Sequence, residues 1–273
     1  MRRETRTIEI GKVKIGSGHP IAVQTMTKTD TRDFNATIEQ IRKVQEEGCQ
    51  IVRCAVPDMD AAKALKKIVK STSIPIVADI HFHYRLALEA ISSGIHCLRI
   101  NPGNIGNRKR IEEVVKCLKV FGIPVRIGVN SGSLEKDILK KYGSPTSDAL
   151  VDSALRHINI LDELNFSQIK ISVKSSNVGI MQEAYRKLAN LTDYPLHLGV
   201  TEAGTYEVGS VKSAIGIGSL ISEGIGDTIR VSLTDDPVKE VKLGKNILKA
   251  LGHYENGIEI ISCPGCGRLE IDL

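Results

Sequence analysis

Charged and amide side chains recur near the carboxyl ends of short apolar segments in this sequence. They are Arg53, Asp79, Arg99 with Asn101, Arg126 with Asn130, Lys170 with Lys174, Glu202, and Arg230 with Ser232. Most pairs are spaced by two or four residues, so both members point to one face of an extended strand. Several cations with few carboxylates are costly to bury unless an anion joins them. The pattern therefore predicts a site for a multiply charged anion, such as phosphate or diphosphate.

Each residue type has a chemistry that fits such a site. The guanidinium groups of Arg53, Arg99 and Arg126 can bind phosphate oxygens in a bidentate manner, and the Lys174 ammonium adds a point charge. The minority of acidic and amide groups would orient hydroxyl groups or move protons, and they are Asp79, Asn101, Asn130 and Glu202. These roles predict an anion site with a few groups for acid–base chemistry.

Two other residue pairs could bind a metal. Cys263 and Cys266 form a C-x2-C motif, which alone is compatible with zinc, an iron–sulfur cluster or a redox dithiol. A four-ligand site needs two more ligands, and only seven residues follow Cys266. His81 and His83 are spaced by two, which is not a diagnostic metal spacing. We favour a position beside the substrate for His81 over a structural hydrogen bond.

Eight short β-branched segments position these side chains. They begin at Ile21, Gln50, Ile74, His96, Ile123, Gln168, Pro195 and Asp227. Most starts lie about 25–30 residues apart, the length of one strand and a returning helix. The repeat predicts an α/β fold, a TIM (β/α)8 barrel with its charges converging at the carboxyl-terminal face. An open doubly wound sheet is the alternative, because a sequence cannot show closure directly.

Three segments depart from the simple repeat. Residues 7–16 alternate around Gly11 and predict a β-hairpin that closes the bottom of the barrel. A longer insertion after Asn130 precedes a helix expected from Leu150 to Leu164, and it either serves the active site or is a tolerated surface loop. The glycines from Gly216 to Gly226 superficially suggest a dinucleotide-binding loop. They follow a helix-like stretch and lack the expected acidic residue, so we predict a turn before the last strand.

Composition limits the class of protein further. The 273 residues include 37 Lys+Arg against 32 Asp+Glu, a net charge of +5, and 41% are hydrophobic, which excludes a disordered chain. Aromatic residues make up 4%, so stacking platforms for nucleic acid are few. No run approaches the about 18 apolar residues of a membrane span, and the basic segment at residues 1–10 lacks the apolar stretch of a signal peptide, so we expect a cytoplasmic protein. Cysteines among apolar neighbours are predicted to be small buried hydrophobes: Cys49, Cys54, Cys97 and Cys117.

Nine motifs, in order along the whole chain, resemble those of one enzyme family. They are VQTMTKTDTRD, VRCAVPD, PIVADIHFHYRLAL, LRINPGNIG, VRIGVNSGSL, ISVKSSNV, HLGVTEAG, IRVSLTDDPV and SCPGCGR. The sequence is similar to the 4-hydroxy-3-methylbut-2-enyl diphosphate synthases of the non-mevalonate isoprenoid pathway. The resemblance implies a TIM barrel over residues 1–253 that binds 2-C-methyl-D-erythritol 2,4-cyclodiphosphate. Residues 254–273 would then be a linker and the start of a small α+β iron–sulfur domain.

The resemblance also implies the cofactor, the partners and the reaction. Cys263 and Cys266 would be the first two ligands of a [4Fe–4S] cluster, and the third Cys and a Glu would lie in a domain missing from this chain. Ferredoxin or flavodoxin would donate electrons for reductive dehydroxylation and ring opening. The family works as a homodimer, with one subunit's cluster facing the other's barrel. This chain alone is therefore expected to be an inactive, substrate-binding part.

The family's site residues map onto the charged cluster. By resemblance the diphosphate is held by Arg53, Arg99, Arg126 and Lys174. Polar contacts match Asn101, Asn130 and Ser232, and Asp79 with Arg230 belongs to the same pocket. Glu202 matches an acid near the reacting carbons and is the expected proton donor, with Asp79 and His81 as the other catalytic candidates. The alternatives are a non-catalytic phosphometabolite-binding barrel with a zinc knuckle, and a barrel transferase of the pterin-binding type.

Overall fold

A computed structural model describes residues 2–80, 83–100 and 108–254, and Arg268. Its strands are β1 (Ile8–Ile10), β2 (Val13–Ile15), β3 (Ala22–Met26), β4 (Ile51–Ala55), β5 (Ile76–Asp79), β6 (Cys97–Ile100), β7 (Val125–Asn130), β8 (Ile169–Lys174), β9 (His197–Leu198) and β10 (Thr228–Ile229). Its α-helices are α1 (Phe34–Glu46), α2 (Met59–Ser71), α3 (Tyr84–Ser92), α4 (Arg108–Phe121), α5 (Lys136–Tyr142), α6 (Ser147–Glu163), α7 (Val178–Leu191), α8 (Tyr206–Ser222) and α9 (Pro237–Ala250).

Eight parallel strands form the barrel, in the order β8-β7-β6-β5-β4-β3-β10-β9. The two ends of this order meet through a parallel bridge between Ile171 and Leu196. There the amide of Ile171 donates to the carbonyl of Pro195 at 2.9 Å. The (β/α)8 prediction is confirmed, and the open-sheet alternative is wrong because β8 and β9 are joined.

The hairpin β1–β2 closes the amino-terminal end of the barrel, as predicted. Its strands pair antiparallel around Gly11, whose φ of 57° is the left-handed conformation that favours glycine. The hairpin buries Ile8, Ile10 and Ile15 in one apolar cluster. The cluster also includes residues at or next to the start of four barrel strands: Ala22, Ile51, Val77 and Cys97. The base of the barrel is therefore apolar and packed.

Among the described residues, five helices are preceded by polar residues whose side chains accept a hydrogen bond from a backbone N–H of the first turn. These capping residues are Asp33, Asp58, Thr146, Asn177 and Asp236. Such caps satisfy donors that have no partner within the helix. In an alternating barrel each helix begins near the carboxyl end of the preceding strand, so the caps fix the loops around the candidate site.

The prediction of a turn from Gly216 to Gly226 is correct only for its second half. Helix α8 runs to Ser222, so Gly216 and Gly218 are helical, whereas Gly224 and Gly226 form the turn with φ of 80° and 123°. A Cβ on Gly216 would lie 2.8 Å from Val200 Cγ2. The absence of that Cβ allows α8 to pack closely, which is a structural rather than a nucleotide-binding role. The helix predicted from Leu150 begins earlier, at Ser147.

Candidate functional site

A row of buried charged side chains crosses four neighbouring strands inside the barrel. The strand register pairs Asp79 with Arg99, Arg99 with Arg126, and Arg126 with Lys170. Paired residues on adjacent parallel strands point the same way, so these side chains share one surface. Each of the four is at most 4% exposed. The structure thus brings together the strand charges that spacing in the sequence predicts.

Asp79 holds two arginines of this row in place. Its carboxylate oxygens lie 3.0 Å from Nη1 of Arg99 and 3.5 Å from Nε of Arg53. The Arg53 guanidinium also contacts the Met26 sulfur, with Nη2 at 2.8 Å from Sδ. Burial lowers the pKa of Arg53 to about 10, while the charge of Asp79 opposes that shift. The arginines are therefore oriented by the protein before any ligand arrives.

Arg126 and Lys174 lack such compensation. Nε and Nη1 of Arg126 are buried without a hydrogen-bond partner, and within the described residues no carboxylate lies at salt-bridge distance from either side chain. Burial, followed by repulsion from Arg53 and Arg99, holds the pKa of Arg126 well below its usual value. Burial and then Arg126 do the same for Lys174. An anion bound here would relieve both effects.

Glycines make room for two of the long cations. A Cβ on Gly128 would lie 2.5 Å from Nε of Arg99, and a Cβ on Gly199 would lie 2.6 Å from Nζ of Lys174. Arg99 also donates from Nη2 to the carbonyl of Gly128 at 3.1 Å. Both cations therefore lie against bare backbone, which keeps their side chains within the narrow interior.

Glu240 on α9 anchors the opposite side of the site. It is 1% exposed, accepts from Oγ1 of Thr25 at 2.6 Å and from the amide of Leu233 at 3.0 Å. Nη2 of the half-buried Arg230 lies 3.6 Å from this carboxylate. Ser232 lies half-buried in the segment between Arg230 and Leu233. The helix thus fixes the segment after β10, which contains two of the predicted contacts.

Asn130 and Glu202 occupy different depths. With its amide oxygen facing Arg99, Asn130 accepts from Nη2 at 3.3 Å and donates to the carbonyl of Val129 at 3.2 Å. Glu202 is exposed and has a left-handed φ of 50°. Such a backbone is uncommon for a residue other than glycine and is often found at functional sites. Asn130 therefore belongs to the cation cluster, whereas Glu202 lies outside the buried row.

Four of the predicted site residues, His81, Asn101, Cys263 and Cys266, lie outside the described residues. Within the described part of the chain, no group of three or more His, Cys, Asp or Glu side chains could hold a metal ion.

Three of the four cysteines predicted to be buried are buried, namely Cys49, Cys54 and Cys97. The fourth, Cys117, is half-buried. Burial raises the pKa of the Cys49 and Cys54 thiols to about 12, which disfavours the thiolate that a cluster needs. These buried thiols are therefore poor candidates for further ligands beside the predicted pair Cys263 and Cys266.

A cavity of about 740 Å³ adjoins the cation row at the ends of β4 and β5. Its lining is mostly apolar, with charged side chains at Asp58, Asp79 and Arg85. The lining residues are Met26, Ala55, Val56, Pro57, Asp58, Met59, Asp79, His83, Arg85 and Leu86. The site therefore combines a cationic floor with an apolar compartment that could receive the carbon part of a ligand.

Lys170, a member of this row, is among the charges predicted to converge at the site, whereas two further buried polar residues, His197 and Glu240, are not among the predicted site residues. Lys170 is four residues before Lys174, so their shared face is visible in the sequence spacing. His197 is two residues before Gly199 and is likewise fully buried, with Nδ1 2.7 Å from Oγ1 of Thr228. Glu240 gives no such signal, because it reaches the site from a helix.

The fold and this arrangement define a TIM barrel with a cluster of buried cationic side chains in its interior. Residues 5–245 match the family model described as the GcpE TIM-barrel domain. Two curated relatives, both named 4-hydroxy-3-methylbut-2-en-1-yl diphosphate synthase (flavodoxin), come from Clostridium perfringens and Fusobacterium nucleatum. They are 61% identical over 272 residues and 57% identical over 273 residues, covering all of this chain and 78% and 77% of the relatives. The chain belongs to the GcpE family.

Solved structures with the same architecture are much more distant in sequence. Dihydropteroate synthase from Yersinia pestis aligns with a TM-score of 0.63 at 12% identity, covering 90% of this chain and 98% of that one. N-acetylneuraminic acid synthetase from Leptospira borgpetersenii aligns with a TM-score of 0.63 at 13% identity, covering 95% and 94%. These similarities show the barrel fold alone. Among the described residues, no helix has the length and apolar character needed to cross a membrane.

Proposed function

We propose that this barrel binds 2-C-methyl-D-erythritol 2,4-cyclodiphosphate as part of a 4-hydroxy-3-methylbut-2-en-1-yl diphosphate synthase. The observation that supports this most directly is the group of buried cations in the barrel interior, of which Arg126 and Lys174 have no carboxylate partner among the described residues. The reaction opens the cyclic diphosphate and removes one hydroxyl group as water. Two electrons and one proton convert the dianionic substrate into a trianionic allylic diphosphate and water.

In this proposal, different groups of residues bind different parts of the substrate. The phosphoryl groups would bind Arg53, Arg99, Arg126 and Lys174, with Asp79 orienting the first two through its 3.0 and 3.5 Å contacts. Hydroxyl groups would bind Asn130, Arg230 and Ser232, together with Asn101. The carbon skeleton would fill the apolar cavity beside Asp79. Prepositioned groups of this kind hold the reacting bonds in one geometry. His81 remains a catalytic candidate.

The redox part of the proposal concerns residues beyond the barrel. Cys263 and Cys266 would provide two thiolates of a [4Fe–4S] cluster, which supplies electrons to the substrate when bound. Flavodoxin or ferredoxin would be the donor, and a homodimer would bring a cluster to each barrel. The barrel residues would contribute binding, orientation and proton transfer to this chemistry.

Binding measurements on the 273-residue chain test the proposed substrate. In calorimetric titrations the cyclic diphosphate should bind at least about tenfold more tightly than inorganic diphosphate or sulfate, because hydroxyl and apolar contacts add to the phosphate contacts. A general phosphometabolite barrel would bind the three anions with similar affinity, and a pterin-type transferase would bind a pterin instead. Either of those results contradicts the proposal.

Glu202, whose side chain is exposed, is the proposed proton donor. Glu202→Gln should lower kcat of the cluster-containing holoenzyme by about a hundredfold or more, because the amide cannot deliver a proton. Its affinity for the cyclic diphosphate should stay within about twofold, since Glu202 is outside the cation row. Glu207→Gln, on an exposed part of α8, is the matched control and should leave both unchanged. Normal turnover by Glu202→Gln would contradict the assignment of Glu202 as the proton donor.

A further inference from the structure

Lys170 lies inside the barrel without any of the usual compensation for a buried ammonium. It is 0% exposed, and Nζ has no hydrogen-bond partner among the described residues. Its strand neighbours Ile169 and Ile171 belong to the apolar layer of the main core, so Lys170 faces the other way, into the interior. Lysine is rarely fully buried unless it is paired. This burial therefore indicates that Lys170 binds a ligand or has another function that offsets its cost.

Arg126 lies beside Lys170 on the neighbouring strand. The two residues are register partners on β7 and β8, and adjacent strands are separated by about 4.8 Å. Arg126 has two nitrogens without partners, Nε and Nη1. An anion that satisfies Arg126 is therefore within reach of the long, flexible side chain of Lys170.

We propose that Lys170 is a further anion-binding residue at the base of this pocket, and that it takes up a proton when a diphosphate ligand binds. This inference rests on the proposed substrate site and adds one residue and one proton to it. The proton moves from solvent to Nζ of Lys170, whose lone pair forms the new N–H bond. The ammonium then offsets one negative charge of the ligand.

The groups around Lys170 favour proton uptake on ligand binding over an ammonium that is permanently charged. Burial lowers the pKa of Lys170 to about 8. Titratable and charged groups on the surrounding elements also act on it, namely Cys97 on β6, Arg126 on β7, Arg53 on β4, Asp227 before β10 and His197 on β9. Cys97 and Asp227 raise the pKa of Lys170, whereas Arg126 and Arg53 lower it. An anion beside Arg126 raises that pKa again, so binding draws in a proton.

His197 does not supply the missing charge. Burial, followed by the charges of Lys174, Arg126 and Lys170, holds the pKa of His197 well below its usual value. The imidazole therefore stays neutral at physiological pH. Because the proposed reaction converts a dianion into a trianion, a cation that forms at Lys170 suits the product as well as the substrate.

Proton uptake can be measured in titrations of the 273-residue chain with the cyclic diphosphate, whose two diester-like phosphoryl groups keep a fixed charge. The enthalpy in buffers of different ionisation enthalpy gives the number of protons bound. Wild type should take up nearly one proton more than Lys170→Met at about pH 9, and about a tenth of a proton more at about pH 7. Lys170→Met should also bind about tenfold to a hundredfold more weakly near pH 7. Lys170→Arg should keep most of the affinity but lose the difference in uptake.

Unfolding measurements separate this role from a structural one. A buried unpaired ammonium destabilises the empty protein, so Lys170→Met should raise the urea midpoint. The unfolded state binds more protons between pH 8 and the usual lysine pKa, so wild-type stability should rise across that interval relative to Lys170→Met. Lys66→Met, on the exposed side of α2, is the matched control and should change neither property.

Each outcome of the titrations is informative. If wild type and Lys170→Met bind the cyclic diphosphate with equal affinity and equal proton uptake, the role of Lys170 is wrong and the proposed substrate stands. If the cyclic diphosphate binds to neither protein, the proposed function fails and the inference fails with it. A lower urea midpoint for Lys170→Met together with unchanged binding would assign Lys170 to the fold alone.

Discussion

Asp79→Asn is expected to destabilise the empty protein by about 3 kcal/mol or more, because it removes one partner of a buried ionic cluster. Asp79 contacts both Arg53 and Arg99, and both guanidiniums are nearly inaccessible to water. The amide keeps the shape and one hydrogen-bond acceptor, but its charge is gone. Arg53, Arg99 and Arg126 would then repel one another in a medium that screens poorly. Urea unfolding at neutral pH measures the effect.

Ligand rescue distinguishes this electrostatic cause from a packing defect. Millimolar sulfate or cyclic diphosphate should restore part of the lost stability of Asp79→Asn, since a bound anion replaces the missing charge. Asp58→Asn is the matched control: Asp58 caps α2, and Asn caps helices about as well, so the cost should stay below about 0.5 kcal/mol. A loss below about 1 kcal/mol for Asp79→Asn, or no recovery with anion, would contradict the assigned role.

Arg126→Met should have the opposite profile, with a large loss of binding and little loss of stability. We expect affinity for the cyclic diphosphate to fall about a hundredfold or more, because two charge-assisted contacts disappear. The empty protein should keep or gain stability, since methionine replaces a buried guanidinium with unpartnered Nε and Nη1. Calorimetric titration and urea unfolding of the same preparation give both numbers.

A surface arginine provides the comparison for this variant. Arg186 on α7 pairs with Glu223 at 2.7 Å and is well exposed, so Arg186→Met should bind the cyclic diphosphate like wild type. Exposed pairs of this kind contribute about 1 kcal/mol or less to stability. If Arg126→Met instead unfolds at much lower urea and still binds with full affinity, Arg126 is a structural residue and the anion lies elsewhere.

The barrel and most of its charged row follow from local patterns. Spacing by four predicts that Arg126 and Asn130 share one face of their strand, as do Lys170 and Lys174, and the register of β7 with β8 pairs Arg126 with Lys170 and Asn130 with Lys174. The length of each repeat predicts the alternation of strand and helix. Closure could only be inferred from the repeat count, because the bridge between Ile171 and Leu196 depends on the geometry of the whole sheet.

Contacts between distant elements were not predictable in the same way. The bridging of Arg53 and Arg99 by Asp79 depends on the stagger between β4, β5 and β6, and Glu240 reaches Arg230 from a helix. Gly216 is helical despite the low helix propensity of glycine, and a Cβ at this position would lie 2.8 Å from Val200 Cγ2, so the close packing favours glycine there. Glu202 follows from both the strand-end charge pattern and the resemblance; its side chain is exposed, and its role stays a prediction.

The β1–β2 hairpin has a kinetic consequence for ligand exchange. By sealing the base with Ile8, Ile10 and Ile15, it makes the described barrel a tube with a blind end. Ligands and protons can then enter and leave only at the open end of the barrel. In the proposed complex, a diphosphate bound to Arg126 would separate Lys170 from bulk water. A proton gained by Lys170 would then be trapped until the ligand departs, so proton release and ligand release should share one rate constant.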